Sequence, residues 1–380
     1  MIFSKLRRAM GMEQRSSPAA EALNRFSLDL YAVARPEVEN FAFSPASIYW
    51  ALSVCLRGAG GSTAKELREG LGAADLDAMK PPASTESASY ALAVANALFT
   101  DRTVELLPAF VASVAESYDA ACEALDFSGD VDAARRRINE YVAEATADRI
   151  PDLLAPGTVG PQTRLMVVNA VYFKAAWHSQ FPPSSTEDRP FTLLSGERVD
   201  TPMMQTTAEM PVLFEEDARV LELPYRGDEM SMVIVLPGEA EGLVQLEASL
   251  GVERIAGWLS RLRRRELVIG LPRFSIDAAP VSVLEPLVEL GIRALFDPSR
   301  CDLSKASASD LSVGRIIHKT FLRVTEEGTE AAAATAVLAP ESAPPRRSFV
   351  ADRPFLYLIR DRRDGSILFL GRVTDPRGEN

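Results

Sequence analysis

Serine and histidine are the residues from which hydrolases build a nucleophile and its base, and Ser44, Ser47 and His318 supply both types. Their surroundings point elsewhere. Ser44 precedes Pro45 and a run with almost no charge, the pattern of a helix cap with proline in the first turn. Neither serine sits in the glycine-framed turn that strains a nucleophile. The chain has only 2 histidines in 380 residues, with no HExxH pair, no phosphate loop and no zinc-spaced cysteines. His318 therefore reads as a buried histidine whose ring nitrogens are satisfied. The expectation is no enzyme, no cofactor and no metal site.

The remaining candidate chemistry is hydrolysis of this chain by another protein. Pro340 to Ser348, reading PESAPPRRS, is proline-rich and polar, so it should be exposed and extended, the form of peptide a protease grips. Just upstream lies Glu326-Glu327-Gly328-Thr329-Glu330-Ala331-Ala332-Ala333-Ala334-Thr335-Ala336-Val337. With period two, Thr329, Ala331, Ala333, Thr335 and Val337 share one face, and Glu330, Ala332, Ala334, Ala336 and Leu338 share the other. The first set has no charge, no proline and nothing large, so a sheet could accept all of it. The same alanines also suit a helix, and periodicity does not decide between them. Gly328 permits a turn at one end, and Pro340 is the first residue that would interrupt a ladder.

The rest of the chain must position these segments. At 380 residues it can bury a large core. A hydrophobic content of 47% with 25% charged residues is ordinary for a soluble globular protein. The formal net charge of −12 argues against a nucleic-acid partner. The triplets Arg135-Arg136-Arg137 and Arg263-Arg264-Arg265 read as solvated helix faces or strand edges. No apolar stretch is long enough for a bilayer, and Met1 to Arg15 lacks the apolar centre of a signal peptide. Cys55 and Cys122 lie among apolar neighbours and are expected as buried thiols, and Cys301 completes an odd set.

Apolar periodicity predicts helices over 19–33, 46–56, 62–71, 107–120, 132–150, 243–250, 252–262 and 281–290. Strands are expected over 90–99, 165–175, 218–223, 230–236, 267–271, 313–324, 355–360 and 367–373. Leu165 to Ala175 is the best central strand because both of its faces are mostly apolar. The sum is a mixed α+β body with several sheets and no dividing linker.

These segments carry a family pattern in order. Asn40 is followed by Ser44-Pro45-x-Ser47-Ile48, Gly61-Ser62-Thr63 by Glu66-Leu67, and Asn96-Ala97-Leu98-Phe99 by Asn169-Ala170-Val171-Tyr172-Phe173-Lys174 and Trp177. Then come Met203-Met204, Leu223-Pro224-Tyr225, Leu271-Pro272-Arg273-Phe274, Leu290-Gly291-Ile292, His318-Lys319-Thr320-Phe321, Arg353-Pro354-Phe355 and Phe369-Leu370-Gly371-Arg372-Val373. Over essentially its whole folded length the chain resembles the serpins, the serine protease inhibitor family. The resemblance implies an α+β fold of three β-sheets and about nine helices in one domain over 17–376. It also implies a flexible segment at 1–16 and a hinge with reactive centre loop over 327–350.

The resemblance further implies suicide inhibition. A protease attacks the loop, the freed hinge of Glu326, Glu327, Gly328, Thr329, Glu330 and Ala331 to Ala334 enters the central sheet, and the attached acyl-enzyme is stalled. Entry would lie between the strand at 165–174 and its neighbour at 313–326. Counting from Gly328 in the family's manner puts the reactive bond at Ser342-Ala343, while counting back from Pro354 gives Ala343-Pro344. Proline after the bond is a poor substrate, so Ser342-Ala343 is preferred. Thr329 to Ser342 is 14 residues, about 46 Å when extended at about 3.3 Å per residue. Ser44, Ser47, Asn169 and His318 resemble the polar shutter under the sheet, and Trp177 the residue where the hinge enters. Arginine at Thr329 would bury an unpaired charge on insertion. The implied partner is a serine endopeptidase preferring small neutral residues, elastase-like or subtilisin-like, met by a monomer with no membrane or nucleic acid involved. A serpin-fold carrier, chaperone or interaction protein without trapping is the alternative.

Overall fold

The computed structural model describes residues 17–72, 85–86, 90–277, 280–329 and 347–378. The expectations for 1–16, for Glu330 to Ala334 and for the Ser342-Ala343 bond lie outside the described residues. Among the described residues there are eight α-helices. These are α1 (Pro18–Ala34), α2 (Pro45–Gly58), α3 (Gly61–Leu71), α4 (Pro108–Tyr118), α5 (Val131–Ala145), α6 (Leu243–Ala248), α7 (Val252–Arg261) and α8 (Leu284–Glu289). The strands run β1 (Phe41–Phe43), β2 (Thr85–Glu86), β3 (Tyr90–Asp101), β4 (Ala121–Leu125), β5 (Leu165–Ala176), β6 (Glu187–Thr192), β7 (Arg198–Phe214), β8 (Ala218–Pro224) and β9 (Met230–Pro237). They continue as β10 (Arg263–Pro272), β11 (Phe274–Asp277), β12 (Val281–Ser282), β13 (Arg315–Val324), β14 (Gly328–Thr329), β15 (Ser348–Val350), β16 (Phe355–Asp361) and β17 (Ile367–Val373).

The α+β class is as expected. The described strands, however, join into two continuous hydrogen-bonded networks instead of three. The cause is β7, whose 17 residues pair with β6, β10 and β8 along its length and so fuse two groups of strands into one nine-stranded ladder. The second sheet has the order β11-β13-β14-β5-β3-β2, with β4 added on β3 and β12 on β13. Its centre is a parallel junction, β13 to β5, flanked by antiparallel β3 to β5.

Alternation along β5 explains why it is central. Leu165, Val167, Val171, Phe173 and Ala175 enter the main core with α2, while Met166, Val168 and Ala170 enter a second core with Ile138 and Val142 of α5. Burial on both faces is what the unbroken apolar run requires. Asn169 is the one polar residue on the α2-facing side. Helix α2 starts as expected, with the Ser44 hydroxyl accepting from the Ser47 amide and Pro45 at the first helical position. Every α2 residue except Arg57 is buried.

Three boundaries differ in ways local chemistry explains. Helix α5 ends at Ala145, not at Ile150, because Ala147 and Asp148 take left-handed backbone and the Thr146 hydroxyl accepts from the Ile150 amide. The segment expected as helix over 281–290 begins as β12 on β13, and α8 forms only over its second half. Cys122 is half-buried, since β4 is an outer strand paired on one side with β3. Cys55 is fully buried, as expected. Among the described residues no helix is long and apolar enough to cross a membrane.

Candidate functional site

The sheet registers bring three polar side chains into one row. Asn96 of β3 lies opposite Asn169 of β5, and Asn169 lies opposite His318 of β13. All three are buried, beneath the equally buried Ser44 and Ser47 at the start of α2. The Asn169 amide uses all its groups. Its Oδ1 is 2.7 Å from His318 Nδ1 and accepts from the Ser47 hydroxyl at 2.5 Å, and its Nδ2 donates to Ser47 O at 3.1 Å and to Asn96 Oδ1 at 2.7 Å. Ser44 Oγ donates to Leu368 O on β17 at 2.7 Å. The row thus ties the central sheet to α2 and α2 to the other sheet.

The same geometry fixes the protonation of His318. The Ser44 amide can only donate, and it donates to His318 Nε2 at 3.0 Å, so Nε2 carries a lone pair and Nδ1 carries the proton that goes to Asn169. The Thr320 hydroxyl also reaches Nε2, at 2.8 Å. Complete burial lowers the His318 pKa to about 3, so the ring stays neutral. This histidine lends no general base to Ser44 or Ser47, whose hydroxyls are engaged with backbone and amide groups. The chemistry available here is a hydrogen-bonded latch.

A fork opens above the row. The parallel rungs between β13 and β5 run from Arg315↔Met166 to Phe321↔Tyr172. Beyond them Thr325 and Gly328 exchange backbone hydrogen bonds of 2.9 and 3.2 Å around Glu326-Glu327, and the chain reverses between the two strands. As β14, Gly328 and Thr329 pair antiparallel with Ala176 and Ala175 of β5, and Thr329 also pairs with Val324 of β13. Gly328 has φ +152°, and a Cβ there would sit 2.1 Å from Ala175 O. Glycine is the residue that passes this closely.

The mouth of the fork is built from Trp177, Tyr225 and Glu326. Trp177 donates its amide to Glu327 O at 2.8 Å and its indole Nε1 to Thr325 O at 2.9 Å. Tyr225 stacks on it at 4.7 Å, and the Tyr225 hydroxyl is 2.8 Å from Thr329 Oγ1. Thr329 is fully buried. Burial alone would raise the Glu326 pKa, but hydrogen bonds from Arg273 and from Thr186 bring it below the ordinary carboxylate range. Arg273 Nε donates to both Glu326 oxygens at 2.7 and 2.9 Å.

Sequence reasoning singled out Ser44, Ser47, Asn169, His318, Trp177, Gly328 and Thr329, and the structure gathers them into these two adjoining clusters. It quoted Asn96, Thr320, Tyr225 and Arg273 within motifs but gave them no role, and it passed over Thr186. Asn96 had a usable signal, as a lone polar group in an apolar strand segment. Arg273 lay in the motif Leu271-Pro272-Arg273-Phe274 with no partner indicated, and Thr186 had no signal, because only the turn at Glu326 brings them to it.

Two measurements follow. The unfolded chain binds a proton at histidine near pH 6.5 and the folded chain only near pH 3, so His318 costs stability as pH falls below about 6.5. Between pH 7 and pH 5 the wild type should lose about 2 kcal/mol more than His318→Gln, read from urea midpoints, while most carboxylates remain ionised. Parallel curves for the two proteins would refute the neutral assignment. Gly328→Ala should lower stability by about 1–3 kcal/mol and accelerate amide exchange at Thr329, and unchanged exchange would show that the close approach to Ala175 is not there.

Comparison with known proteins places this architecture. A family model described as serpin, serine protease inhibitor, matches residues 21–376. Leukocyte elastase inhibitor of Bos taurus is 38% identical over 383 residues, covering 96% of this chain and 100% of that protein. Among solved structures, uncleaved ovalbumin superposes with a TM-score of 0.86 at 26% identity, covering 94% of this chain and 99% of that one. Serpin48 of Tenebrio molitor, described as a highly specific serpin, gives 0.83 at 32% identity, with 94% and 98% covered. The chain belongs to the serpin family.

Proposed function

We propose that the chain inhibits a serine protease as a suicide substrate, with 17–376 as its folded unit and 327–350 as hinge and reactive loop. The observation that carries this is β14, two residues of the hinge already seated in antiparallel register with both β5 and β13. Each further step along the hinge is one step back along both strands. Continued in that register, Ala331 meets Phe173 and Leu322, Ala333 meets Val171 and Thr320, and Thr335 comes between Asn169 and His318. Val337 then meets Val167 and Ile316, and Ala339 meets Leu165, the first residue of β5. Pro340, which has no amide to donate, falls just beyond the ladder.

Three properties of this register favour insertion. The side directed at α2 carries only threonine, alanine and valine, which add no charge to the core. The hydroxyl of Thr335 lands on the polar row, where separating β5 from β13 leaves Asn169 and His318 in need of partners. One parallel junction is exchanged for two antiparallel ones, and parallel pairing is the weaker per residue. Before cleavage the far end of the loop is held at β15, where Ser348 to Val350 pair with Val268 to Gly270 of β10. Cutting at Ser342-Ala343 frees the hinge from that anchor while the acyl-linked protease stays on the Ser342 side.

The target class follows the same residues. Serine followed by alanine suits a narrow apolar specificity pocket, and the curated relatives include inhibitors named for leukocyte elastase. We therefore assign an elastase-like or subtilisin-like serine endopeptidase as partner. Trapping, and not mere binding, separates this from a carrier or chaperone of the same fold.

Incubation with pancreatic-type elastase should give a denaturant-resistant adduct whose mass is the protease plus the chain up to Ser342, with a released peptide beginning at Ala343. Ala333→Arg places a charge opposite Val171 and Thr320 only after insertion. It should leave the stability of the uncut chain unchanged within about 0.5 kcal/mol, preserve the cleavage rate and abolish the adduct. Full adduct yield from Ala333→Arg would overturn the register, and cleavage of the wild type with all protease recovered active would overturn the inhibitory reading.

A further inference from the structure

The arginine triplet Arg263-Arg264-Arg265 forms the start of β10. On one side it pairs with Val212, Pro211 and Met210 of β7, all three buried. Its other edge carries no strand among the described residues, because β15 joins β10 only from Val268 onward. All three arginines are exposed. Arg263 donates to the carbonyls of Ser260 and Leu262, and Arg264 faces Glu209 at 3.9 Å with both side chains more than half exposed. An exposed pair of that length contributes little. Among the described residues Arg263 and Arg265 form no ion pair, in a chain whose acidic residues outnumber its basic ones by 53 to 41.

The position of this edge matters more than its charge. Val268 donates to Arg347 O at 3.0 Å, and the pairing of β15 with β10 is parallel, so the chain leaving the reactive loop reaches β10 from the arginine end. Arg347 adds a fourth cation, its guanidinium 5.9 Å from the Phe214 ring at the end of β7. From Arg263 to Val268 is about 17 Å along the strand, within the radius of any protease docked on the loop, since a globular protein of a few hundred residues has a radius of gyration of about 17–20 Å.

We propose that Arg263, Arg264, Arg265 and Arg347 form a docking edge for an acidic surface beside the active site of the attacking protease. The edge accelerates encounter by long-range attraction and selects among proteases that cut the same bond. This deepens the inhibitory reading and rests on it. The cations also protect an edge that is unpaired among the described residues from joining another sheet, but that task needs no particular partner and predicts no discrimination between proteases.

The test uses one elastase in two surface forms, its active-site rim carrying added glutamates in one and added arginines in the other. Charge reversal at all three positions, Arg263→Glu with Arg264→Glu and Arg265→Glu, should slow association with the glutamate-rimmed form by about tenfold to a hundredfold at low salt. The effect should shrink at about 0.5 M salt and be absent or inverted for the arginine-rimmed form. The triple glutamine variant should fall between, with melting temperature unchanged. Equal loss for both rims, or no loss, overturns the proposal. Lost retention on a heparin column with unaltered protease rates does so too, since the edge would then serve a polyanion. The same comparison is made with elastase whose catalytic serine is alanine, by binding alone. Absence of a wild-type adduct would sink the inhibitory reading, while charge-dependent binding of the inactive elastase would still support the docking edge.

Discussion

One buried hydrogen bond closes the centre of the second sheet. His318 Nδ1 and Asn169 Oδ1 lie 2.7 Å apart across the parallel junction of β13 and β5. A strand placed between them must move them apart by about 4.8 Å, the spacing of neighbouring strands. The bond must break at once rather than stretch. Because Asn169 also holds Ser47 and Asn96, the loss spreads to α2 and β3. Breaking a buried network leaves each former partner to bear its own desolvation, which makes the closed sheet a defined state with a barrier.

In the proposed insertion, the barrier and the driving force have different origins. The latch is polar and sits midway along β5, whereas the gain on opening is distributed along the ladder and the apolar face. At the mouth, Thr329, Tyr225, Trp177 and Glu326 already hold the first two residues of a further strand. In the proposed insertion, nucleation of the new strand lies behind the uncut chain, and propagation past Phe321 and Tyr172 is the step left. Arg273 holds the turn in place through its bonds to the buried Glu326.

Much of this was legible in residue order. The run Leu165 to Ala175 announces a strand buried on both faces, and Asn169 stands out as a polar residue in it. Ser44-Pro45 announces a helix start, and Gly328 a turn. What sequence could not display is register, and register creates the site. Nothing in the chain says that Asn96, Asn169 and His318 fall in one row, or that Glu326 meets Arg273 and Thr186. The triplet Arg263-Arg264-Arg265 reads as a solvated helix face or a strand edge, and it opens β10, but its nearness to Arg347 depends on a parallel pairing between segments some eighty residues apart. The stop signal Pro151 puts the end of α5 at Ile150, but the left-handed Ala147 and Asp148 end it first. The long β7 is not marked as a unit because Gln205, Thr206, Thr207 and Glu209 break the alternation that marks a strand.

The three cysteines acquire a meaning from this. Cys55, Cys122 and Cys301 are free thiols, and burial first of all pushes their pKa values up, to about 12, 11 and 11. They remain protonated at neutral pH, and the thiol is the unreactive form. No covalent tie joins one part of the molecule to another. The strand separation proposed above therefore meets no disulfide restraint from these three thiols.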